Sequence, residues 1–338
     1  MIRLIITSQK IMSTKNKKQL KSTRDGFGEA LLELGEENEN VVVLSADLTE
    51  STRADKFAEK YPERFVQVGV AEQNLASVAS GMSAMGKIPF ITSFAIFSPG
   101  RNWEQIRTTI AYNNSNVKII GSHAGVVTGP DGGSHQALED IALMRVIPRM
   151  TVFSPADFEE AKKLTKKAVQ IEGPVYIRLS RMATEPVNQE ELDLGLLDPS
   201  GLLLGSSRPK CVFKSDGLPV VIMATGHLVA QAVQASQELT KEGISNRVVN
   251  ISQIKPLEEE RILAIAKKSR GIVTVEDHQL AGGMGSAIAE FLAQKLPTKI
   301  KFVAVKDQFG QSGKPEELLK HYGLDKEAIK KAVYKLHN

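Results

Sequence analysis

Short apolar runs alternate with longer amphipathic stretches along the chain from Asp25 onward. Runs rich in β-branched residues predict strands, and longer stretches with apolar positions at helical spacing predict helices. The strands predicted in the first half are Val41–Leu44, Phe65–Val68, Ile88–Ile91, Val117–Gly121, Thr151–Phe153 and Val175–Arg178. This alternation is typical of an α/β domain, in which helices cover a parallel sheet.

The alternation stops after Arg181 and resumes near Val220. Residues 185–217 are rich in Glu, Asp, Pro, Gly and Ser without sustained periodicity, which predicts a linker. The second series of predicted elements comprises strands Val220–Ala224, Arg247–Ile251, Gly271–Glu276 and Ile300–Val305 and a helix around Val229–Leu239. We therefore predict two doubly wound α/β domains, at residues 21–184 and 218–338.

Charge does not favour nucleic-acid binding, although the 338-residue chain has a formal net charge of +4. Seven of the 43 basic residues lie in residues 1–24, before the first acid, Asp25, which leaves 36 basic residues against 39 acidic ones. Residues 1–20 are therefore predicted to be a flexible basic arm on a nearly neutral body. Aromatic interleaving and zinc-finger spacing are absent, so no nucleic-acid partner is expected.

Cysteine content and hydropathy predict a soluble, cytoplasmic protein. Cys211 is the single cysteine, which excludes a disulfide framework and fits a reducing compartment. The apolar run Leu4–Ile6 is too short for the core of a signal peptide. No later stretch reaches the ~20 apolar residues that a membrane-spanning helix requires, so no membrane association is expected.

A carboxylate at Glu72 separates a predicted strand from a very apolar helix at Gln73–Met85. Glu72 could simply complement the positive end of the helix at the surface. Its surroundings argue otherwise, because Val66, Val68 and Val70 precede it and the helix is expected to be buried or to pack against a partner. A glutamate in such a dry site has a raised pKa and can share a proton with a ring nitrogen.

Two further segments contain candidate site residues. Phe94 and Phe97 lie three apart beside a predicted strand end in a chain with only 5% aromatic residues, so they are candidates for the wall of a flat ligand as well as for the core. His123 and His135 flank a glycine-rich segment that also contains Asp131. Glycine-rich loops after strands allow the backbone to come close to a ligand.

Together these motifs resemble the pyrimidine-binding domain of transketolases. The resemblance includes Gly69–Asn74, the Phe94/Phe97 pair and His123-Ala-Gly through Asp131-Gly-x-x-His135-Gln. It extends to Ser22-Thr-Arg24, Ser45-Ala-Asp47-Leu-Thr, Leu179-Ser-Arg181 and the strand end Val273–His278 in the final domain. It covers about residues 20–335 and implies a thiamine diphosphate enzyme.

The resemblance implies a role for each matching residue. Glu72 would bind N1′ of the aminopyrimidine and favour the imino tautomer, whose 4′ nitrogen removes the C2 proton of the thiazolium. Phe94 and Phe97 would pack on the pyrimidine, and Asp47 would lie near the cofactor. His135 would sit beside the reacting centre, and Asp131 would accept a hydrogen bond from a sugar hydroxyl. The residues that would hold the sugar phosphate are Arg24, Ser51, His123 and Arg181.

Two positions depart from the family pattern. Gly100 stands where many full-length transketolases have a third aromatic residue, and Pro130 replaces the usual glutamate before Asp131. The first change thins the pyrimidine wall, and the second alters the stiffness of the loop. Neither removes a residue with an implied catalytic role.

The sequence lacks the diphosphate-binding motif of thiamine enzymes, a Gly-Asp-Gly followed by an Asn. The resemblance therefore implies the small subunit of a split transketolase, which binds the pyrimidine end of thiamine diphosphate. A larger partner subunit would contribute the diphosphate domain and Mg²⁺, and no metal ligand is expected on this chain. Two small and two large subunits would form a heterotetramer. The implied reaction transfers a two-carbon ketol unit between sugar phosphates of the pentose phosphate pathway.

Other functions remain open at this point. A deoxyxylulose phosphate synthase-like or pyruvate dehydrogenase beta-like subunit would share Glu72 and the fold. It matches less well at His123–Gln136 and at Arg24, Ser51 and Arg181, which would hold the sugar phosphate. A non-catalytic regulatory module of the same fold is a further alternative. The Gly282-Gly283-x-Gly285 string lies outside a first βαβ unit, so it predicts a tight turn between strand and helix better than a nicotinamide site.

Overall fold

The computed structural model describes residues 20–187 and 217–337. The predicted arm at 1–20 and the predicted linker at 185–217 lie almost entirely outside these ranges. The strands of the described residues are β1 (Lys21–Ser22), β2 (Val41–Ser45), β3 (Phe65–Gln67), β4 (Ile88–Phe94), β5 (Lys118–Ser122), β6 (Thr151–Phe153), β7 (Val175–Arg178), β8 (Ala183–Thr184), β9 (Val220–Ala224), β10 (Asn246–Asn250), β11 (Gln253–Lys255), β12 (Gly271–Gln279) and β13 (Ile300–Val305).

Helices connect these strands. They are α1 (Thr23–Glu37), α2 (Asp55–Lys60), α3 (Glu72–Ala84), α4 (Trp103–Gln105), α5 (Asp140–Arg145), α6 (Phe158–Gln170), α7 (Leu228–Lys241), α8 (Glu259–Lys267), α9 (Met284–Lys295), α10 (Pro315–His321) and α11 (Lys326–His337). A π-helical turn at Ile106–Ala111 continues α4, and 3-10 turns occur at Pro62–Arg64 and Val126–Asp131.

The larger sheet has seven strands in the order β11-β6-β7-β5-β4-β2-β3, all parallel except the edge strand β11. Successive residues of a strand point to opposite faces, and both faces are covered. Val41 and Val43 pack with apolar residues of α1 and α6, whereas Val42 and Leu44 pack with α3. Strands buried on both faces explain why these segments are continuous apolar runs rather than alternating ones.

The second sheet has four parallel strands in the order β10-β9-β12-β13. Val220 and Ile222 face α7 and α11, whereas Val221 and Met223 belong to a cluster with α9. That cluster continues into the first sheet, so the two halves of the chain share a core. The two-sided sheets confirm the α/β class predicted from the sequence.

Several predicted elements agree closely with the structure, and other details differ. Thr151–Phe153, Val175–Arg178, Val220–Ala224 and Ile300–Val305 are strands as predicted. Strand β4 continues to Phe94, β12 continues to Gln279, and the unpredicted β11 crosses from the second half to the edge of the first sheet. The Gly282–Gly285 string is a turn into α9, as predicted, because Glu276 accepts hydrogen bonds from the backbone amides of Met284 and Gly285.

Candidate active site

Glu72 is the first residue of α3 and lies beyond the carboxyl end of β3. Its side chain is almost completely buried, with 1% of its surface exposed. Arg101 Nη1 donates to Glu72 Oε2 at 2.7 Å, and Asn102 Nδ2 donates to the Glu72 backbone carbonyl at 2.9 Å. The prediction of a carboxylate in a dry site therefore agrees with its burial, and the structure adds a cationic partner.

Arg101 connects this carboxylate to the aromatic pair. Its guanidinium carbon lies 4.6 Å from the centre of the Phe97 ring, which is a cation–π distance. Its side chain is 48% exposed, so the ion pair closes the buried Glu72 from the solvent side. The guanidinium therefore lies between the Glu72 carboxylate and the face of Phe97. A flat ligand that contacted both groups would occupy the same space.

The two phenylalanines and two histidines form one aromatic cluster. Phe94 and Phe97 are nearly parallel, with ring centres 6.1 Å apart. Phe94 also stacks on His123 at 3.8 Å, so the histidine covers one face of that ring. His135 points its edge at Phe97, 5.4 Å away. The cluster therefore places His135 beside Phe97. Arg101 links the cluster to Glu72, because it contacts both the Phe97 ring and the carboxylate.

His123 lies just after β5, is 3% exposed and has a φ of +56°, a left-handed conformation that is uncommon for a non-glycine residue. Arg24 Nη1 lies 3.2 Å from His123 Nε2, and Ser122 Oγ lies 3.0 Å from Nδ1. Because a guanidinium can only donate, Nε2 accepts and Nδ1 carries the proton. Burial and the neighbouring charges of Arg24 and Arg181 lower the pKa of His123 to about 3, which keeps the ring neutral.

Arg24 projects from the first turn of α1. Ser22 caps this helix by accepting from the Asp25 amide, and the Asp25 carboxylate accepts in return from the Ser22 backbone amide. Arg24 Nη1 also donates to the Ser51 backbone carbonyl at 2.9 Å. Burial, with Arg53 and Arg181 nearby, lowers the pKa of Arg24. Crowded cations of this kind favour an anionic ligand.

Arg181 and Asp131 form an ion pair close to Arg24 and His123. Arg181 Nη1 lies 3.3 Å from Asp131 Oδ2 and donates to the Thr128 carbonyl at 3.1 Å. Both side chains are 35% exposed. The resemblance implies that Arg181 binds a phosphate and that Asp131 accepts from a sugar hydroxyl. In the described chain, these two side chains are paired with each other.

The remaining predicted residues, Asp47 and Ser51, contribute less direct geometry. Asp47 follows β2 with a φ of +59°, and it is exposed. Its backbone amide donates to Gln67 Oε1, and within the described residues its carboxylate forms no hydrogen bond or ion pair with Glu72. Ser51 contacts Arg24 through its backbone carbonyl and not through its hydroxyl. The structure therefore brings the other predicted residues together and places these two at the margin.

Sequence reasoning missed Arg101 and Arg53 as site residues. Arg53 Nε donates to Asp25 Oδ1 at 2.7 Å, and its charge contributes to the lowered pKa of both Arg24 and His123. Arg101 lies four residues after Phe97, a spacing that places the two on one side of a turn. That spacing was the available signal for Arg101. Nothing in the spacing of Arg53 points to the site.

No group of three or more metal-ligating side chains occurs within residues 20–187 and 217–337. In the same ranges, none of the helices combines the length and the apolar character needed to cross a bilayer. The donor set of the site fits the pyrimidine end of a thiamine cofactor, because it offers a buried carboxylate beside an aromatic face.

Family models match nearly the whole described chain. One, described as the pyrimidine binding domain of transketolase, matches residues 19–186, and another, the transketolase C-terminal domain, matches residues 210–329. The fold and the site therefore define a pyrimidine-binding domain followed by a transketolase C-terminal domain. The chain belongs to the transketolase family and corresponds to the C-terminal part of a split transketolase.

Individual relatives support this membership. The chain is 44% identical to a putative transketolase C-terminal section from Methanocaldococcus jannaschii, over 93% of this chain and 95% of that protein. It is 36% identical to mouse transketolase over 92% of this chain, but it spans only 48% of that protein. A solved split-gene transketolase, described as an inactive β4 tetramer, superposes with a TM-score of 0.79 at 42% identity, over 94% of this chain and 100% of that one.

Proposed function

We propose that this chain is the small subunit of a thiamine diphosphate-dependent transketolase, which transfers a two-carbon ketol unit from a ketose phosphate to an aldose phosphate. Its partner is a larger subunit that carries the diphosphate-binding domain and its Mg²⁺. The single observation that carries this proposal is the row of side chains that joins the buried Glu72 carboxylate, through Phe97 and Phe94, to the cationic cluster at Arg24.

Glu72 supplies the acid–base function at one end of this row. Once Arg101 is displaced, the buried carboxyl can share a proton with a basic ring nitrogen. Phe97 offers a face for the same ring. When bound, thiamine diphosphate supplies the carbanion chemistry that ketol transfer requires. The chain's own part is to hold the ring against Phe97 and to exchange a proton at the Glu72 carboxyl.

The other end of the row fits a sugar phosphate. Arg24 and Arg181 provide fixed positive charge, and neutral His123 can donate to a phosphate oxygen in the tautomer that carries its proton on Nε2, with Ser122 Oγ then donating to Nδ1. Asp131 is released to accept from a sugar hydroxyl when phosphate takes Arg181. His135, at the edge of Phe97, lies between the two ends and is placed to exchange protons with the reacting sugar.

A partner subunit is part of the proposal because the chain provides only one end of a cofactor site. The sequence has no Gly-Asp-Gly string, and the chain matches about half the length of mouse transketolase. The related split-gene structure is described as an inactive assembly of one subunit type, which is consistent with a need for the other subunit. We propose a heterotetramer of two small and two large subunits, because soluble oligomers most often have closed twofold symmetry.

Reconstitution tests the proposal. The purified chain is mixed with thiamine diphosphate, Mg²⁺, xylulose 5-phosphate and ribose 5-phosphate, with and without a partner that contains the Gly-Asp-Gly motif. We expect ketol transfer only when both chains are present. Robust transfer by this chain alone, shown by mass spectrometry to be free of any partner, would refute the split-site proposal. Transfer to or from pyruvate instead of sugar phosphates would favour the synthase-like or dehydrogenase-like alternatives.

A further inference from the structure

The glycine-rich segment at residues 123–136, here called the substrate loop, lies against the C-terminal domain. It contains His123, Asp131 and His135, three of the proposed site residues. Positive φ angles occur at His123, Gly125, Gly129 and Gly132, so the loop has an unusual backbone path for its length. Such a path persists only where the surrounding structure holds it.

The first contact that fixes the loop is made by Asp277 in β12. Asp277 is 1% exposed, and its Oδ1 accepts from the Val126 backbone amide at 3.0 Å. This amide begins the 3-10 turn that ends at Asp131. A side chain at Gly125 would place its Cβ 2.0 Å from Asp277 Oδ2, so the loop can approach this carboxylate only with glycine there. Nearby His227, 3.3 Å from Asp277 Oδ2, and the Val126 amide lower the pKa of Asp277 despite its burial.

The second set of contacts that fixes the loop is made by Gln136, which is buried at the end of the loop. Its Nε2 lies within hydrogen-bonding distance of three backbone carbonyls: Val126 at 3.0 Å, Gly129 at 3.3 Å and Gln311 at 2.9 Å. The first two carbonyls belong to the loop, and the third belongs to the segment that precedes α10. One amide group therefore ties the turn of the loop to the C-terminal domain.

The facing segment at residues 307–313 is shaped to allow this contact. A Cβ on Gly310 would lie 1.7 Å from Gln136 Oε1, and one on Gly133 would lie 2.4 Å from the Gly310 carbonyl. A Cβ on Gly132 would lie 2.6 Å from Ser312 Oγ. Both surfaces therefore depend on the absence of side chains, which is the requirement of a close backbone-to-backbone contact.

We infer that the C-terminal domain holds the substrate loop in its binding conformation, with Asp277 and Gln136 as positioning residues for His123, Asp131 and His135. Neither positioning residue contacts the proposed substrate. They act on the backbone that carries the three residues which do. The inference rests on the proposed function for the roles of those three residues, and it gives the C-terminal domain a part in catalysis.

The test begins with the isolated chain and does not require activity. Diethyl pyrocarbonate acylates accessible, unprotonated histidines, and peptide mass spectrometry reads each histidine separately. His123 is 3% exposed in the native chain and should react slowly. In Gln136→Met, which keeps the size of the side chain but removes its donor, we expect the acylation rate of His123 to rise by ~10-fold or more, because the carbonyls of Val126, Gly129 and Gln311 lose this common donor. Gly310→Ala should act in the same direction from the other side of the contact.

Internal controls separate loop release from general unfolding. His227 and His278 are buried in the C-terminal domain, at 2% and 0% exposure, and should stay protected, whereas exposed His321 should react equally in every variant. Gln294→Met and Gly217→Ala change the same residue types at exposed positions and should leave His123 protected. Unchanged protection of His123 in both loop variants would overturn the inference, and so would equal exposure of His123, His227 and His278.

Kinetics of the reconstituted enzyme extend the test to function. Gln136→Met should raise the Michaelis constant for xylulose 5-phosphate by ~10-fold, because His123 and Asp131 lose their fixed positions. Proton exchange at C2 of the cofactor, which depends on Glu72 of α3, should stay within about twofold of the native rate. If exchange and sugar-phosphate affinity fall together, the contact supports the fold as a whole and is not a positioning device. Failure of the proposed function would show instead as absent exchange in the native complex, whatever the acylation result.

Discussion

Arg101 and Glu72 form an ion pair with an Nη1–Oε2 distance of 2.7 Å, in which the carboxylate is 1% exposed and the guanidinium side is 48% exposed. The guanidinium also lies over Phe97. In the chain by itself, the carboxylate proposed to face the pyrimidine therefore already has a cationic partner. A ring that used both Glu72 and Phe97 would have to displace Arg101, so binding of the proposed cofactor would require a movement of this side chain.

Arg101→Gln should destabilise the isolated chain. Removal of one partner leaves a buried carboxylate without its cation, which costs several kcal/mol for a fully buried pair. Because Arg101 is about half exposed, solvent screening reduces the expected loss to ~1–2 kcal/mol of unfolding free energy. Urea unfolding measures it, with Arg107→Gln as an exposed control. In a Glu72→Gln background the same change should cost little, and an undiminished cost there would show that the two side chains are not coupled.

His123 should make the folding stability depend on pH. Its folded-state pKa is lowered to about 3, whereas an unfolded histidine titrates near 6.5. Between these values the unfolded state binds one more proton, so stability rises with pH across this window and is lost as the pH falls. One such proton contributes a slope of about 1.4 kcal/mol per pH unit.

His123→Asn should remove most of that slope between pH 4 and pH 6. The unfolding free energy of both proteins, measured by denaturant titration at several pH values, gives the slopes directly. His321→Asn, at an exposed histidine, serves as the matched control and should leave the slope unchanged. A His123→Asn protein with the native slope would mean that the ring takes up a proton in the folded chain and is not held neutral by its burial and by Arg24.

Arg24→Ala and Arg181→Ala should each weaken phosphorylated substrates selectively. A charge-assisted contact to phosphate contributes ~1.5–3 kcal/mol, so each loss should raise the Michaelis constant for xylulose 5-phosphate about 10- to 100-fold. Turnover of hydroxypyruvate, a donor without phosphate, should change little. Arg107→Ala is a control for general loss of positive charge. Equal damage with both donors would assign these arginines a structural role.

The parts of the fold that the sequence predicted are those set by local pattern. Thr151–Phe153 and Val175–Arg178 are buried on both faces, so they are continuous apolar runs between turn-forming residues. Strand β11 was missed because Gln253–Lys255 is short and polar and joins the sheet only through antiparallel pairing with β6, a contact about 100 residues away in sequence.

The candidate site divides in the same way. Glu72 and His123 follow strands, and Phe94 is the last residue of one. The carboxyl ends of these strands meet at one edge of the sheet, so the proximity of the three residues could be expected from topology. The contact of Asp277 with Val126 joins residues 151 apart, and the Arg101–Glu72 pair depends on the path of the turn after β4. Packing between elements decides both contacts, and no periodicity in the sequence encodes it.

In the proposed function, Glu72 activates the cofactor by exchanging a proton with its pyrimidine ring. Glu72→Gln keeps the size and the hydrogen-bonding oxygen but cannot transfer a proton in this way. The most direct measurement is the rate at which the C2 proton of thiamine diphosphate exchanges with deuterium in the complex of this chain with its partner. We expect a rate at least ~10²-fold below native in Glu72→Gln, with the complex still assembled. Exchange at a near-native rate in the assembled variant would contradict it.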